Sequence, residues 1–342
     1  MKRKPSILII YTGGTIGMAQ DPETGELSPV NFVEISRQLP ELVQFDLKLE
    51  AISFSPPVDS SEANPEMWIK MASIIEDNYD NYDGFVILHG TDTMAYSASS
   101  LSFLLENLGK PVIFTGSQLP IGMLRTDGKE NLISSIEIAA AKENNIPVVP
   151  EVCIFFQNKL FRGNRTTKHN VEYFNAFRSD NYPVLAETGI NIRYNRNAIM
   201  RPAEGNKLKV HSVLNTDIAI LKIFPGITKR LLQAVYNTPG LRAVILETYG
   251  AGNAPTADWF ISVVEEATKN DIITLNVSQC ASGSVDMNKY KTGKRLLEAG
   301  VLSGGDITTE AAVAKIMFIL ARTSDTGDIR ILVKRPLRGE IS

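Results

Sequence analysis

Ser6-Ile7-Leu8-Ile9-Ile10-Tyr11-Thr12-Gly13-Gly14-Thr15-Ile16-Gly17 is the stretch from which the fold is read. An aliphatic, β-branched run ends abruptly in hydroxyls and glycines, the pattern of a buried parallel strand running into a loop at its carboxyl end. Gly13 and Gly14 permit a sharp turn and a close approach to the backbone, and Thr12 and Thr15 set hydroxyls at that turn. The glycine spacing fits neither a dinucleotide fingerprint nor a phosphate loop, and no lysine follows it. Taken alone, the segment reads equally well as a tight turn whose threonines bond only local backbone. Open α/β sheets bind ligands outside the carboxyl ends of their strands, so the other strand ends decide.

A second strand of mixed patterning is expected at Leu47, Leu49 and Ile52, running into Pro56-Pro57-Val58-Asp59-Ser60-Ser61. The third, Gly84 to Leu88, is wholly apolar and so buried on both faces, and it ends in His89-Gly90-Thr91-Asp92-Thr93. The fourth, Val112 to Phe114, ends in Thr115-Gly116-Ser117-Gln118, and a fifth spans Val152 to Phe156. Between them, Asn31 and Glu34 form a capping-box pattern, and Asn64-Pro65 opens a helix through Ile75. Further helices are expected from Met94 to about Asn107, and from Asp127 and Glu130, as caps, to about Asn144. With right-handed crossovers, four polar strand ends share one edge of a parallel sheet. Polar loops explain any one of them; four together argue for a site.

The chain has 342 residues, 44% hydrophobic and 21% charged, with a net charge of −3. That length suits one large and one smaller domain, and that charge gives no reason to expect nucleic-acid or membrane-surface partners. No stretch approaches a transmembrane helix in length, and the basic start Met1-Lys2-Arg3-Lys4 leads into a first strand with no cleavage-site pattern. Cys153 and Cys280 stand in no metal or redox spacing and read as reduced, mostly buried thiols of a cytoplasmic protein. His89, His169 and His211 make no ligand cluster by spacing, so no metal is expected. The expected organisation is a larger, mostly parallel α/β domain over 1–185 with helices on its sheet, an Asn- and Arg-rich linker over 186–212, and a smaller α/β domain over 213–342. In the second domain the alternation reads as strand Asp217 to Phe224, helix Thr228 to Tyr236, strand Ala243 to Glu247, helix Thr256 to Asn270 and strand Ile272 to Val277. Helices near Lys291 to Ala299 and Thr308 to Ala321 follow.

A threonine hydroxyl is a weak nucleophile and needs a base. Thr91-Asp92 sets a hydroxyl beside a carboxylate, and Arg165-Thr166-Thr167-Lys168 supplies an amine. Spacing cannot bring Lys168 to Thr91; by itself it reads as a solvated surface lysine.

Thr12-Gly13-Gly14-Thr15-Ile16-Gly17 and Gly90-Thr91-Asp92-Thr93 resemble the two signature segments of bacterial-type L-asparaginases. Asp59-Ser60-Ser61, Thr115-Gly116-Ser117-Gln118 and Arg162-Gly163-Asn164-Arg165-Thr166-Thr167-Lys168 are similar to further blocks of the cytoplasmic, type I branch. Tyr249-Gly250-Ala251-Gly252-Asn253-Ala254-Pro255 and Gln279-Cys280 extend the likeness through essentially the whole chain. The resemblance implies hydrolysis of L-asparagine to L-aspartate and ammonia through a threonine acyl-enzyme, without a cofactor. It implies Thr15 as nucleophile, a relay of Thr91, Lys168 and Asp92, and substrate contacts from Asp59, Ser60, Ser61, Thr91, Asp92 and Ser117. It also implies a homo-oligomer, a dimer or a dimer of dimers, in which a neighbour's Asn253 completes each site. The chain departs from the family where its mobile loop usually carries a tyrosine, since Gly25-Glu26-Leu27-Ser28-Pro29 has none. It departs again at Glu247. In the type I branch an arginine is expected there, beside an effector pocket whose other residues match Thr167 and Cys280, so asparagine-driven activation is not expected. Two rival readings remain: the amidohydrolase subunit of a tRNA-dependent amidotransferase, expected to carry an extra amino-terminal domain, and a non-catalytic amino-acid sensor, expected to lose Thr15 or Lys168.

Overall fold

In β1 (Ser6–Tyr11) every residue is buried, as both faces of a central parallel strand must be. The computed structural model describes residues 3–20, 27–29 and 32–342, so the centre of the loop after β1, and Asn31 of the capping-box pattern, lie outside the described residues. β1 pairs in parallel with β2 (Lys48–Ser53) on one side and with β3 (Gly84–Leu88) on the other, Ile9 standing opposite both Ala51 and Val86. Between β2 and β3 runs α1 (Pro65–Asn78), whose amino end is closed by Asn64 Oδ1 accepting from the Met67 N–H at 3.0 Å. β3 leads through α2 (Met94–Leu104) to β4 (Val112–Thr115), and β4 through α3 (Gly128–Ala140) to β5 (Val152–Phe156). β4 and β5 continue the parallel pairing, while β6 (Lys159–Arg162), β7 (Ala186–Thr188) and β8 (Ile192–Tyr194) add antiparallel strands. The eight-stranded order is β8-β7-β6-β5-β4-β3-β1-β2. One apolar cluster, with Ile9 and Tyr11 of β1, Leu132 and Ile136 of α3 and Phe155 of β5, fills the space beneath it.

The chain divides into two compact units, Met1–Ser212 and Val213–Ser342. The 186–212 stretch, expected as a linker, instead supplies β7 and β8 and a short ladder in which Lys209–Val210 pairs with Leu105–Glu106. Three-residue strands are too short to show a period of two, and the Asn and Arg side chains between them mask the buried Ala186 and half-buried Ile192 and Tyr194. The same ladder ends α2 at Leu104, short of the expected Asn107. α3 stops at Ala140 because Lys142–Glu143 turns back on Ile146–Pro147 through Asn144 and Asn145, both left-handed (φ 50° and 65°). Cys153 is buried on β5 as expected, whereas Cys280 is exposed.

The second unit is a four-stranded parallel sheet in sequential order: β9 (Ile218–Lys222), β10 (Ala243–Thr248), β11 (Ile273–Ser278) and β12 (Leu302–Ser303). Its helices are α4 (Lys229–Tyr236), α5 (Asp258–Lys269), α6 (Lys291–Glu298), α7 (Thr309–Leu320) and α8 (Thr326–Lys334). Thr228 and Thr308 cap α4 and α7 through their hydroxyls, the signal by which both helices were legible.

Lys315 of α7 and Glu340 are both 0% exposed and meet at 2.6 Å. The Lys315 ammonium also donates to the carbonyls of Val333 and Arg335, and Glu340 accepts from the N–H groups of Leu337 and Arg338. Burial pushes the Lys315 amine down from its usual range, and the Glu340 carboxylate opposes that shift. Breaking such a pair on one side strands a charge in the interior. Glu340→Ala is therefore expected to destabilise the second unit by about 3–5 kcal/mol, seen as an earlier urea midpoint, while Lys315→Met combined with Glu340→Leu costs far less.

Candidate active site

The strand order sets the carboxyl ends of β2, β1, β3 and β4 side by side. Glycines let the loops that leave them touch. A Cβ on Gly13 would lie 2.2 Å from the Val58 carbonyl oxygen beyond β2, and one on Gly14 would lie 2.4 Å from the Gly90 nitrogen beyond β3. A Cβ on Gly90 would strike Ser60 Oγ, and one on Gly116 the His89 carbonyl oxygen, each at 2.4 Å. Both Gly13 and Gly14 also hold positive φ (134° and 91°), which a side chain would strain.

Of the two threonines after β1, Thr12 is buried and spends its hydroxyl on the Leu88 carbonyl at 2.9 Å. Thr15 opens a single 3₁₀ turn, Thr15–Gly17, in which Ile16 and Gly17 are buried and Thr15 is only half-buried. Thr15 directly follows Gly14, whose contact with Gly90 brings the turn beside the loop that carries Thr91.

Lys168 follows the turn Gly163–Arg165, which is held under α2 by the Gly163–Ala98 contact and by Asn164 Nδ2 donating to Ser102 Oγ at 3.1 Å. Beneath it, the buried Arg162 guanidinium pairs with Glu151 at 2.6 Å and stacks on Tyr182 at 4.2 Å. Lys168, with its side chain 14% exposed, meets Thr91 Oγ1 at 2.8 Å and Asp92 Oδ1 at 2.6 Å. A lysine that reads as a surface residue in isolation is part-buried between the two groups. The Asp92 side chain stays 64% exposed.

Asp59 is exposed, and its Oδ1 accepts from both the N–H and the hydroxyl of Ser61, forming the cap of a short turn. Ser60 is buried against Gly90, and its carbonyl accepts from Thr93 Oγ1 at 2.6 Å, which ties the β2 and β3 loops together. From the β4 loop Ser117 is buried and donates its hydroxyl to the Leu119 carbonyl at 2.5 Å. The neighbouring Gln118 is the residue that reaches Thr91: its Oε1 lies 3.4 Å from Thr91 Oγ1, and its Nε2 donates to the Tyr173 carbonyl at 3.2 Å. In the sequence Gln118 stands out only as a member of the Thr115–Gln118 block. Asp127, expected to cap α3, makes no cap bond; its carboxylate accepts the Gln118 N–H at 3.0 Å and the Leu119 N–H at 3.3 Å and so braces this loop. Burial raises the Asp127 carboxyl above its usual range against those N–H bonds. Asn253 belongs to the second unit, where its side-chain oxygen accepts from Thr292 and its backbone bridges Tyr249. Among the described residues no group of three or more His, Cys, Asp or Glu side chains could hold a metal ion.

A second buried chain supports the Gly90-Thr91-Asp92 loop. His89 Nδ1 sits 2.7 Å from the Gly90 carbonyl, which can only accept, so Nδ1 carries the proton. Nε2 then accepts from Ser97 Oγ at 2.9 Å, and Ser97 Oγ accepts from Trp68 Nε1 at 2.9 Å. Isolation from water lowers the His89 pKa from 6.5 to about 4.

The family models Asparaginase, N-terminal, and Glutaminase/Asparaginase C-terminal domain match residues 6–200 and 217–332. L-asparaginase 1 of Escherichia coli (strain K12) is 44% identical over 348 residues, covering 99% of each chain. The 60 kDa lysophospholipase of Homo sapiens is 39% identical over 98% of this chain and 61% of its own. The crystal structure of L-asparaginase I from Vibrio cholerae O1 biovar eltor str. N16961 superposes with a TM-score of 0.89 at 39% identity, covering 99% of both chains. These likenesses define a hydrolase that acts on amides. The chain belongs to the asparaginase family.

An unfolded histidine takes a proton near pH 6.5, while folded His89 refuses one until about pH 4. Stability is therefore whole above that window and falls as pH drops through it, by about 2 kcal/mol between pH 6.5 and 5. Urea midpoints measured at those two pH values are expected to diverge in the native protein and to draw together in His89→Gln.

Proposed function

We propose that the chain hydrolyses L-asparagine to L-aspartate and ammonia through a β-aspartyl ester on Thr15. The observation that carries this reading is the contact of Lys168 Nζ with both Thr91 Oγ1 and Asp92 Oδ1, on a loop packed directly against the Thr15 turn. Asp59, Ser60 and Asp92 grip the α-amino and α-carboxylate groups of the substrate, with Ser61 and Ser117 shaping the loops that carry them. Thr15 Oγ bonds to the side-chain amide carbon, the carbon–nitrogen bond breaks, and the nitrogen leaves with the hydroxyl proton as ammonia. Water then attacks the ester carbon, the carbon–oxygen bond to Thr15 breaks, and aspartate departs. Splitting one amide hydrolysis into two acyl transfers is the gain from a covalent nucleophile. Accepting a proton through Thr91 requires the neutral amine of Lys168, since an ammonium has no lone pair. No cofactor takes part.

The protein acts as a cytoplasmic homo-oligomer, a dimer or a dimer of dimers, in which the partner's Asn253 completes each site. The 64% exposure of the Asp92 side chain supports this, as do the exposed Leu124 and Val171 near Gln118. Thr15→Ala, Thr91→Val and Lys168→Met are each expected to cut ammonia release from asparagine by a factor of roughly 10³ or more with the fold intact. Lys168→Arg is expected to be nearly as damaging, because a guanidinium stays charged. Release only from glutamine and only with tRNA present identifies the amidotransferase subunit instead, and asparagine binding without turnover identifies a sensor.

The same reading includes simple kinetics. Glu247, at the end of β10, accepts from Thr309 Oγ1 at 2.6 Å and lies 3.8 Å from Lys222 Nζ. A carboxylate there repels the anionic end of an amino acid where an arginine clamps it. The rate is expected to rise hyperbolically with asparagine concentration in the native protein, and clear sigmoidicity defeats the claim.

A further inference from the structure

Tyr11 is the last residue of β1, it is fully buried, and the catalytic reading gives it no task. It lies on the same strand face as Ile7 and Ile9, within the apolar cluster that also holds Ile16. Its hydroxyl donates to the Gly17 carbonyl at 3.0 Å, inside that cluster. Gly17 closes the turn that Thr15 opens, its own N–H bonding the Gly14 carbonyl at 3.1 Å. The fit leaves no spare room: a Cβ on Gly17 would sit 2.1 Å from the Tyr11 oxygen. Burial raises the phenol to about 12, so it remains a donor across the working pH range.

We propose that Tyr11 is the positioning residue of the nucleophile turn, acting from beneath the turn through the Gly17 carbonyl. This deepens the reading of Thr15 as nucleophile and rests on it. A one-turn 3₁₀ segment has too few internal bonds to hold its own angle. This turn is instead pinned from below at two consecutive residues, Ile16 by packing and Gly17 by the phenol, and its half-buried member is Thr15. The Ile16 carbonyl also accepts from the Ile121 N–H at 3.3 Å, which restrains translation of the turn. The hydrogen bond from Tyr11 restrains its tilt. Small displacements of a reacting group cost rate steeply, a misplacement of about 1 Å being worth as much as a hundredfold. The substrate grips stand on the loops after β2 and β3, which Thr93 Oγ1 ties to each other through the Ser60 carbonyl at 2.6 Å.

The test compares Tyr11→Phe with Ile9→Val, which trims the same buried strand face two residues earlier without touching the Gly17 carbonyl. Thr15→Ala runs beside them, and all three are assayed for steady-state asparagine hydrolysis and urea stability. Tyr11→Phe is expected to lower kcat by roughly tenfold to a hundredfold with KM within about twofold, while Ile9→Val keeps a native kcat. A kcat for Tyr11→Phe within about threefold of native overturns the proposal. So does an equal fall in both variants, which reports general loosening of the strand, or a rise in KM with kcat unchanged. Full turnover in Thr15→Ala strikes at the nucleophile assignment itself, a failure that the other two variants do not produce.

Discussion

The structure of the site depends on backbone meeting backbone across adjacent strand ends, and glycine is what allows it. Gly13 lies on Val58, Gly14 on Gly90, Gly90 on Ser60 and Gly116 on His89, following the sheet order β2-β1-β3-β4 without a gap. Each contact is closer than any side chain would tolerate, so the four loops form one packed layer above the sheet. Residues one position away from each contact, Asp59, Thr15, Thr91 and Ser117, are thereby gathered along one edge of the sheet. The parallel sheet contributes by bringing all four ends to one edge, which an antiparallel arrangement of the same strands would split between two.

What the glycine layer does for the Thr15 turn, a buried polar scaffold does for Lys168. Arg162, Glu151, Tyr182 and Ala198 satisfy one another beneath the Gly163–Arg165 turn, and Asn164 fastens that turn to α2 through Ser102. The small residues of α2 let the turn come close. His89, Ser97 and Trp68 do the same service for the Thr91 loop, with every hydrogen-bonding atom in the chain assigned. Such networks cost desolvation, and they return it by fixing one arrangement of the loops that they carry.

The exposed half of the site has a different character. Asp59 and Asp92 remain open to solvent, while the hydroxyls of Thr12 and Ser117 are spent on local carbonyls. Polar residues at strand ends therefore divide into those that build the loop and those that stay open to solvent. Ser117 and Gln118 make the point within two positions: the serine bonds its own loop, and the longer amide reaches Thr91. Asp127 repeats it on a helix, where a residue with the look of a cap turns back to hold the preceding loop.

Sequence by itself determined the parallel sheet and the sharing of one edge by four polar strand ends, because buried runs such as Gly84–Leu88 and capped helices such as Pro65–Asn78 write their periodicity and end signals into consecutive residues. It also determined the chemical types at four strand ends. The short edge strands Ala186–Thr188 and Ile192–Tyr194 escaped because three residues carry no readable period. Only the tertiary structure decided that Lys168 stands at 2.8 Å from Thr91, 77 positions away, since no local rule measures distance between loops. It likewise decided that Gln118 reaches Thr91, that Asp127 braces a loop, and that the Tyr11 phenol lies under the Thr15 turn. Each of those facts is a meeting of side chain with distant backbone, and such meetings are set by how elements pack, which propensity and spacing along one chain do not encode.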